Sequence, residues 1–155
     1  YYVPTTTLNE SAYEHFHNIQ NYVYDDINVE SLFRSIWRQS YELIFQANNF
    51  IENVKDTKVL SLKKRDVLLG EAYALRAFLH FDLFRLFGQI YDENDTEKRL
   101  PYNDSHEVNS TKPHEPLTSK GFVNRVLADI VEAENYLKQM HSLLTFLHII
   151  YVTDA

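Results

Sequence analysis

Apolar residues recur along the chain at spacings of three and four, which is the period of helices that bury one face. This pattern predicts a first helix over residues 8–24. A capping box made by Thr7 and Glu10 precedes it, in which the Thr7 hydroxyl accepts from a free first-turn amide and the Glu10 carboxylate reaches back to the amide of Thr7. A polar break at residues 24–28 ends this helix.

Two further segments show the same helical period. One carries an apolar stripe from Phe33 to Val54 and is predicted to end in the charged stretch 55–58. The other is predicted to begin after Thr118, whose hydroxyl is suited to an N-cap, and its stripe continues to Met140.

Residues 63–87 are apolar almost all round, with leucines along one side and aromatic residues and alanines along the other. Such a helix must be covered on two sides, so we expect it at the centre of an all-α stack. Arg76 and His80 lie within it and need buried partners, and Arg76 is suited to binding carbonyl groups at a neighbouring helix end. Gly88 ends the helix, where glycine adopts a left-handed conformation at little cost. We assign structural roles to all three residues.

Residues 89–117 are predicted to form a long loop, because they contain three of the four prolines and many Asp, Asn and Ser residues. Loops of this length are uncommon unless they have a function or are held by a larger protein. The tail 141–155 either extends the last helix or packs separately. We therefore expect a single helical domain over residues 1–155.

Composition and charge narrow the classes of function. The 155 residues are 45% apolar, enough for one core, and the net charge of -7 with scattered cations disfavours nucleic acid as a partner. No cysteine is present for disulfides or thiolate chemistry. The longest strongly apolar run, 143–152, is half of what a membrane span needs, so no transmembrane helix is expected.

Four stretches of this sequence resemble the N-terminal part of the SusD/RagB family. The longest match is GEAYALRAFLHFDLFRLFG at 70–88, and WRQSYELIFQANNFI at 37–51 precedes it. LPY at 100–102 and the segment from PHEPLT at 113–118 to VLADIVEAE at 126–134 resemble the next part of the same family.

The resemblance implies an all-α fold of TPR-like antiparallel helix pairs stacked as a right-handed superhelix. It implies a non-catalytic protein that binds a glycan or another nutrient, oligosaccharide or polysaccharide, at the outer membrane of Bacteroidetes. Such proteins face outward on a lipid anchor and act with a SusC-like, TonB-dependent transporter. Family members are several hundred residues long and carry the anchor on an N-terminal cysteine, so we expect this chain to be the N-terminal part of a longer, lipid-anchored protein.

Aromatic residues are the first candidates for contact with a sugar, because a ring face complements the C–H face of a pyranose. Trp37 and Tyr41 lie on the apolar stripe of the second predicted helix, so we assign them to the scaffold. Tyr91 and Tyr102 lie in the long loop, where binding residues collect, and are the candidates for substrate binding.

Metal, cofactor and catalytic chemistry find little support. His15 and His17 diverge on a helix, and His114 with Glu115 lacks a third ligand. Residues 92–97 imitate the start of a calcium loop without its glycine and its final glutamate, so we expect no cofactor and at most adventitious calcium. No catalytic site is predicted, because no nucleophile motif is present.

Two other classes of function remain open as alternatives. A generic TPR-like helical-repeat scaffold would bind another protein on the concave face of its hairpins. An enzyme would act through the adjacent carboxylates of Asp25 and Asp26, which we interpret instead as polar residues between helices.

Overall fold

The computed structural model describes residues 17–21, 27–107 and 114–138. About 70% of the structure is helical, and the predicted all-α, SusD-like class is confirmed. The long helices of the described part are α1 (Ile27–Lys55), α2 (Leu62–Phe87) and α3 (Ser119–Leu137). Two strands of two residues each, β1 (Leu100–Pro101) and β2 (Pro116–Leu117), lie between α2 and α3.

The chain divides into two compact units, residues 1–39 and 40–155. In the first unit, residues 17–20 are helical and an ion pair joins Glu30 to Arg34. The other residues of the predicted first helix, and the capping box of Thr7 and Glu10, lie outside the described residues.

The predicted end of α1, the predicted bounds of α2 and the predicted start of α3 are confirmed, whereas Met140, to which the stripe of the last helix was expected to continue, lies outside the described residues. α1 ends at Lys55, inside the expected charged stretch. α3 begins where predicted, and the hydroxyl of its N-cap, Thr118, accepts the amide proton of Gly121 at 3.1 Å. This bond satisfies one of the first-turn donors that a helix leaves without a backbone partner.

The core of the second unit is built where α1 and α3 pack on α2, as expected for a central helix. Its buried members come from all three helices: Ile51, Val54, Leu69, Ala72, Tyr73 and Ala133. At one edge of this cluster the rings of Tyr73 and Tyr136 stack with their centroids 5.8 Å apart. A further face of α2 is half exposed, with 43–49% of the side chains of Leu75, Phe78 and Leu86 accessible. α1 and α3 therefore cover α2 on two sides, as expected, and leave this further face half exposed.

The backbone at Gly88 differs from the sequence expectation. Gly88 follows α2 with φ -80° and ψ 179°, which is extended rather than left-handed. Its amide donates to the carbonyl oxygen of Phe84 at 2.8 Å, and a Cβ atom added at Gly88 would overlap that oxygen. Close approach of the preceding turn, and not a positive φ, is the reason for glycine here.

The predicted long loop contains the short strand pair. β1 and β2 are antiparallel, with Leu100 opposite Leu117 and Pro101 opposite Pro116. The amide of Arg99 extends this ladder to the carbonyl oxygen of Leu117 at 3.1 Å. These bonds bring the two ends of the segment together beside the start of α3. Residues 108–113 of the loop and the tail 141–155 lie outside the described residues.

In the part of the chain that the structure describes, none of the helices combines the length and the apolar character needed to span a bilayer.

Gly70 provides a test of the packing between α2 and α3. Alanine normally stabilises a helix by about 1 kcal/mol relative to glycine. At Gly70, however, an added Cβ would overlap the side chain of Leu137, which is buried. We expect Gly70→Ala to destabilise the protein in urea by about 1–2 kcal/mol, because overpacking costs more than the helix propensity returns.

The double variant supplies the control. In a Leu137→Ala background the overlap is removed, so adding Gly70→Ala is expected to be neutral or stabilising. Equal destabilisation in both backgrounds would contradict the close contact.

Candidate functional site

A cluster of buried polar side chains lies where α1, α2, α3 and the segment after β1 meet. Arg76 on α2 and Asp129 on α3 form its centre, as a two-pronged ion pair with Nε–Oδ2 at 2.7 Å and Nη2–Oδ1 at 2.5 Å. The remaining guanidinium nitrogen, Nη1, donates to Oδ1 of Asn48 on α1 at 2.7 Å. Arg76 therefore binds side chains of two other helices rather than the helix-end carbonyl groups that we expected.

Charge explains why this arginine is tolerated in the interior. Burial opposes the charged form of Arg76, but the hydrogen bonds and negative charge of Asp129 outweigh that effect and raise its pKa. A planar guanidinium with two parallel bonds to one carboxylate is the arrangement in which a buried charge is best compensated.

The cluster also holds the segment that follows β1. The side-chain amide of Asn48 donates to the carbonyl oxygens of Asn103 and Ser105 at 3.2 and 2.9 Å. The hydroxyl of Tyr41 donates to the carbonyl oxygen of Pro101 at 2.7 Å, and burial raises the pKa of that phenol. Residues 101–105 are thus fixed by two side chains of α1, because their backbone acceptors are paired there.

His80 contacts the same segment from α2. Its Nδ1 lies 2.9 Å from the carbonyl oxygen of Arg76, and its Nε2 lies 3.1 Å from the amide of Asn103. A carbonyl only accepts and an amide only donates, so both bonds require a neutral ring with the proton on Nδ1. Burial lowers the pKa of His80 to about 3, although the bond to the Arg76 carbonyl opposes the shift. His80 is a neutral connector between α2 and the loop.

The two candidate tyrosines of the loop lie in opposite environments. Tyr102 is 5% exposed, stacks on His80 at a centroid distance of 3.7 Å and donates its hydroxyl to Oδ2 of Asp129 at 2.5 Å. Burial and the charge of Asp129 raise the pKa of its phenol. A sugar would reach this ring only if the segment left the core.

Tyr91, the second candidate, lies in the segment between α2 and β1 and is 50% exposed. The preceding residue, Ile90, is 95% exposed, so two apolar side chains face solvent next to each other. The nearby backbone is fastened to α3 by an ion pair between Glu93 and Lys120 at 2.7 Å. The structure thus presents Tyr91 on the exposed segment that follows α2. It does not bring Tyr91 and Tyr102 together.

Trp37 belongs to the first unit and is partly buried. His15, Asp25 and Asp26 lie outside the described residues.

The segment resembling a calcium loop has its oxygens engaged in protein contacts. Asp92 and Asp95 accept the amides of Asn94 and Glu97 at 2.8 and 2.9 Å, and Asp95 also pairs with Arg99. Among the described residues, no three His, Asp or Glu side chains are grouped so that they would hold a metal ion.

A broad cleft of about 550 Å³ lies between the start of α2 and the end of α3. Its polar lining comes from both helices: Lys63, Asp66, Asn135, Tyr136 and Lys138. The cleft is open to solvent and adjoins Lys138, after which the chain is not described.

Sequence analysis missed the two residues that complete the cluster, Asn48 and Asp129. Both interrupt apolar stripes, Asn48 between Ile44 and Ile51, and Asp129 between Val126 and Ala133. A polar residue in the middle of a buried stripe signals a buried hydrogen-bonding partner, and this signal was available in the sequence.

Removing the charge of Asp129 is expected to lower the free energy of unfolding more than removing the charge of an exposed carboxylate does. Asp129→Asn leaves the guanidinium of Arg76 buried without a counter-charge, and we expect a loss of about 3–5 kcal/mol in urea unfolding. Asp82→Asn is the matched control, because Asp82 and Arg85 form an exposed pair at 3.8 Å. That variant should change stability by less than about 0.5 kcal/mol. Similar losses for the two variants would contradict the central role of the buried pair.

Because His80 is buried in its neutral form, we predict that the protein becomes less stable as the pH falls. Its pKa is lower in the folded protein than its ordinary value of 6.5, so below pH 6.5 the unfolded chain binds a proton that the folded chain does not. Above pH 6.5 His80 makes its full contribution to the free energy of unfolding. As the pH falls from 6.5 toward 3, this free energy decreases by about 1.4 kcal/mol per pH unit.

The measurement compares urea unfolding of the wild type and His80→Gln between about pH 7 and about pH 5. The variant should be less stable and should show a flatter dependence on pH. His106→Gln, at an exposed histidine, should keep the wild-type slope. Parallel curves for the wild type and His80→Gln would contradict the prediction.

Comparisons with known proteins agree with the resemblance seen in the sequence. A SusD-like family model, described as "Starch-binding associating with outer membrane", matches residues 2–146. SusD-like protein P38 of Formosa agariphila is 36% identical over 110 residues, which cover 71% of this chain and 20% of that protein. The chain thus spans about a fifth of the length of this relative. The matches show that the chain belongs to the SusD-like family, a non-catalytic family of carbohydrate-binding proteins associated with the outer membrane.

Proposed function

We propose that this chain is the helical part of a glycan-binding protein that acts at the outer face of the outer membrane. The observation that carries the proposal is the family match over residues 2–146, whose description names both starch binding and the outer membrane. The whole protein binds an oligosaccharide or polysaccharide without cleaving it, is held by a lipid anchor and hands the glycan to a SusC-like, TonB-dependent transporter. A resident cofactor plays no part, and any bound calcium is adventitious.

Within the described residues, Tyr91 is our candidate for contact with the glycan. A half-exposed phenol ring offers a face for stacking against the C–H groups of a sugar, and its hydroxyl offers a hydrogen bond. Anchoring matters as well, because a ring on a segment that is already ordered loses less conformational entropy when the sugar binds. The bonds of residues 99–105 to the helices and the Glu93–Lys120 pair support this ordering.

The charge of the protein agrees with a neutral ligand. The net charge of -7 repels polyanions, whereas a neutral polysaccharide is recognised by hydrogen bonds and stacking that net charge does not oppose.

Affinity electrophoresis against a panel of soluble polysaccharides tests the proposal. We expect at least one neutral glycan to retard the full-length protein. With that glycan, Tyr91→Ala should weaken binding by a factor of about 2 to 10, the value of one aromatic contact, and Tyr91→Phe should retain most of the affinity.

Ile90→Ala is the matched control, since it removes an exposed apolar side chain next to Tyr91 without removing a ring. It should leave retardation unchanged. If no glycan in the panel retards the protein, the glycan-binding proposal fails. If retardation persists in Tyr91→Ala at wild-type strength, the glycan contacts another surface.

A further inference from the structure

The cleft between the start of α2 and the end of α3 is the place where the chain leaves the described structure. Lys138, the last described residue, lines this cleft, and Lys63 lines it from the first turn of α2. The residues that follow Lys138 therefore start at the wall of the cleft. They do not have to cross another part of the described structure to enter it.

The walls of the cleft include apolar surface from both helices. Val67 of α2 is partly buried, and Leu137 of α3 lines the same space. The ring of Tyr136 stacks on Tyr73 with the centroids 5.8 Å apart, and the Tyr136 side chain also lines the cleft. A further apolar segment placed here would thus extend the contacts of a side chain that already packs at the edge of the core.

The part of the sequence that follows α3 contains a segment that needs such a surface. Eight of the ten residues at 143–152 are Leu, Ile, Val, Phe or Tyr, and no Asp, Glu, Lys or Arg occurs between 139 and 153. Apolar surface left in water costs free energy in proportion to its area, and contiguous exposed apolar patches are uncommon on folded proteins. We therefore expect the run at 143–152 to be covered.

The tether is short enough and long enough for the run to reach the cleft. Four residues, 139–142, separate Lys138 from the run. Four extended residues span about 13–14 Å, whereas the axes of packed helices lie about 8–10 Å apart. Either wall is therefore within reach of residue 143. Because the segment is tethered at the cleft, its effective concentration there is in the millimolar range, which favours it over a second copy of the chain in dilute solution.

We propose that the cleft between α2 and α3 binds residues 143–152 of the same chain. The chain turns back after Lys138, and the apolar side chains of the run pack against Val67, Tyr136 and Leu137. This contact covers the open end of the α2–α3 pair. The inference rests on the cleft, on the tether and on the apolar run, and it is independent of whether the protein binds a glycan.

Disulfide trapping in the 155-residue chain tests the proposal. The chain has no cysteine of its own, so an introduced pair gives no background. One cysteine is placed in the run, as Leu144→Cys or Leu147→Cys, and the other replaces Lys63 in the wall of the cleft. Lys64→Cys is the matched control. Both lysines are exposed and adjacent in the sequence, but successive residues of a helix point about 100° apart, and of the two only Lys63 lines the cleft.

Under mild oxidation, Lys63→Cys should form an intramolecular disulfide with at least one of the two positions in the run. This reaction should be about ten times faster than with Lys64→Cys, because a disulfide needs Cα atoms within about 7 Å. Non-reducing gels and mass spectrometry of the linked peptides give the rates. Circular dichroism of the reduced variants checks that they fold, which we expect because the replaced lysines are exposed.

Three other results overturn the proposal, and each identifies a different arrangement. Equal rates for Lys63→Cys and Lys64→Cys mean that the run is not held in the cleft. Disulfides between two molecules mean that a second copy supplies the segment. No disulfide with either lysine position means that the run is covered by another surface.

Discussion

The ion pair between Arg76 and Asp129 is the interaction on which the described structure depends. Both side chains are less than a tenth exposed, and a buried charge that loses its partner costs several kcal/mol. The two residues are 53 positions apart, so α2 and α3 must be packed before the pair forms. Once Arg76 is buried, each of its polar groups needs a partner, and Asn48 brings α1 into the same network. Charge pairing thus specifies how three helices that also share an apolar core are aligned.

The same network explains why a segment rich in proline and polar residues has a defined path. Asp129 accepts the hydroxyl of Tyr102, His80 accepts the amide of Asn103, and Asn48 donates to the carbonyl oxygen of Ser105. Polar groups that would be costly in the core are therefore satisfied by the loop, and the loop obtains its order from them. The β1–β2 pair only closes its two ends.

This arrangement separates scaffold from candidate contact within one segment. Tyr102 is buried and its ring and hydroxyl contact the core, whereas Tyr91, eleven residues earlier, is half exposed. The chain belongs to a family of carbohydrate-binding proteins associated with the outer membrane, and of the two loop tyrosines only Tyr91 offers an accessible ring. The half-exposed side chains of Leu75, Phe78 and Leu86 lie on the face of α2 that is opposite its buried residues.

The sequence alone predicted the three long helices, the end of α1, the start of α3 and the family. Apolar spacing defined α1, α2 and α3, the hydroxyl of Thr118 marked the start of α3, and the motif at 70–88 carried the resemblance to SusD-like proteins, because each of these signals is local. Only the tertiary structure decided that Arg76 binds Asp129 and Asn48, that Tyr102 is buried while Tyr91 is exposed, and that Gly88 is extended. Those outcomes depend on contacts between residues that are distant in the sequence, and local periodicity does not specify which distant residues come into contact.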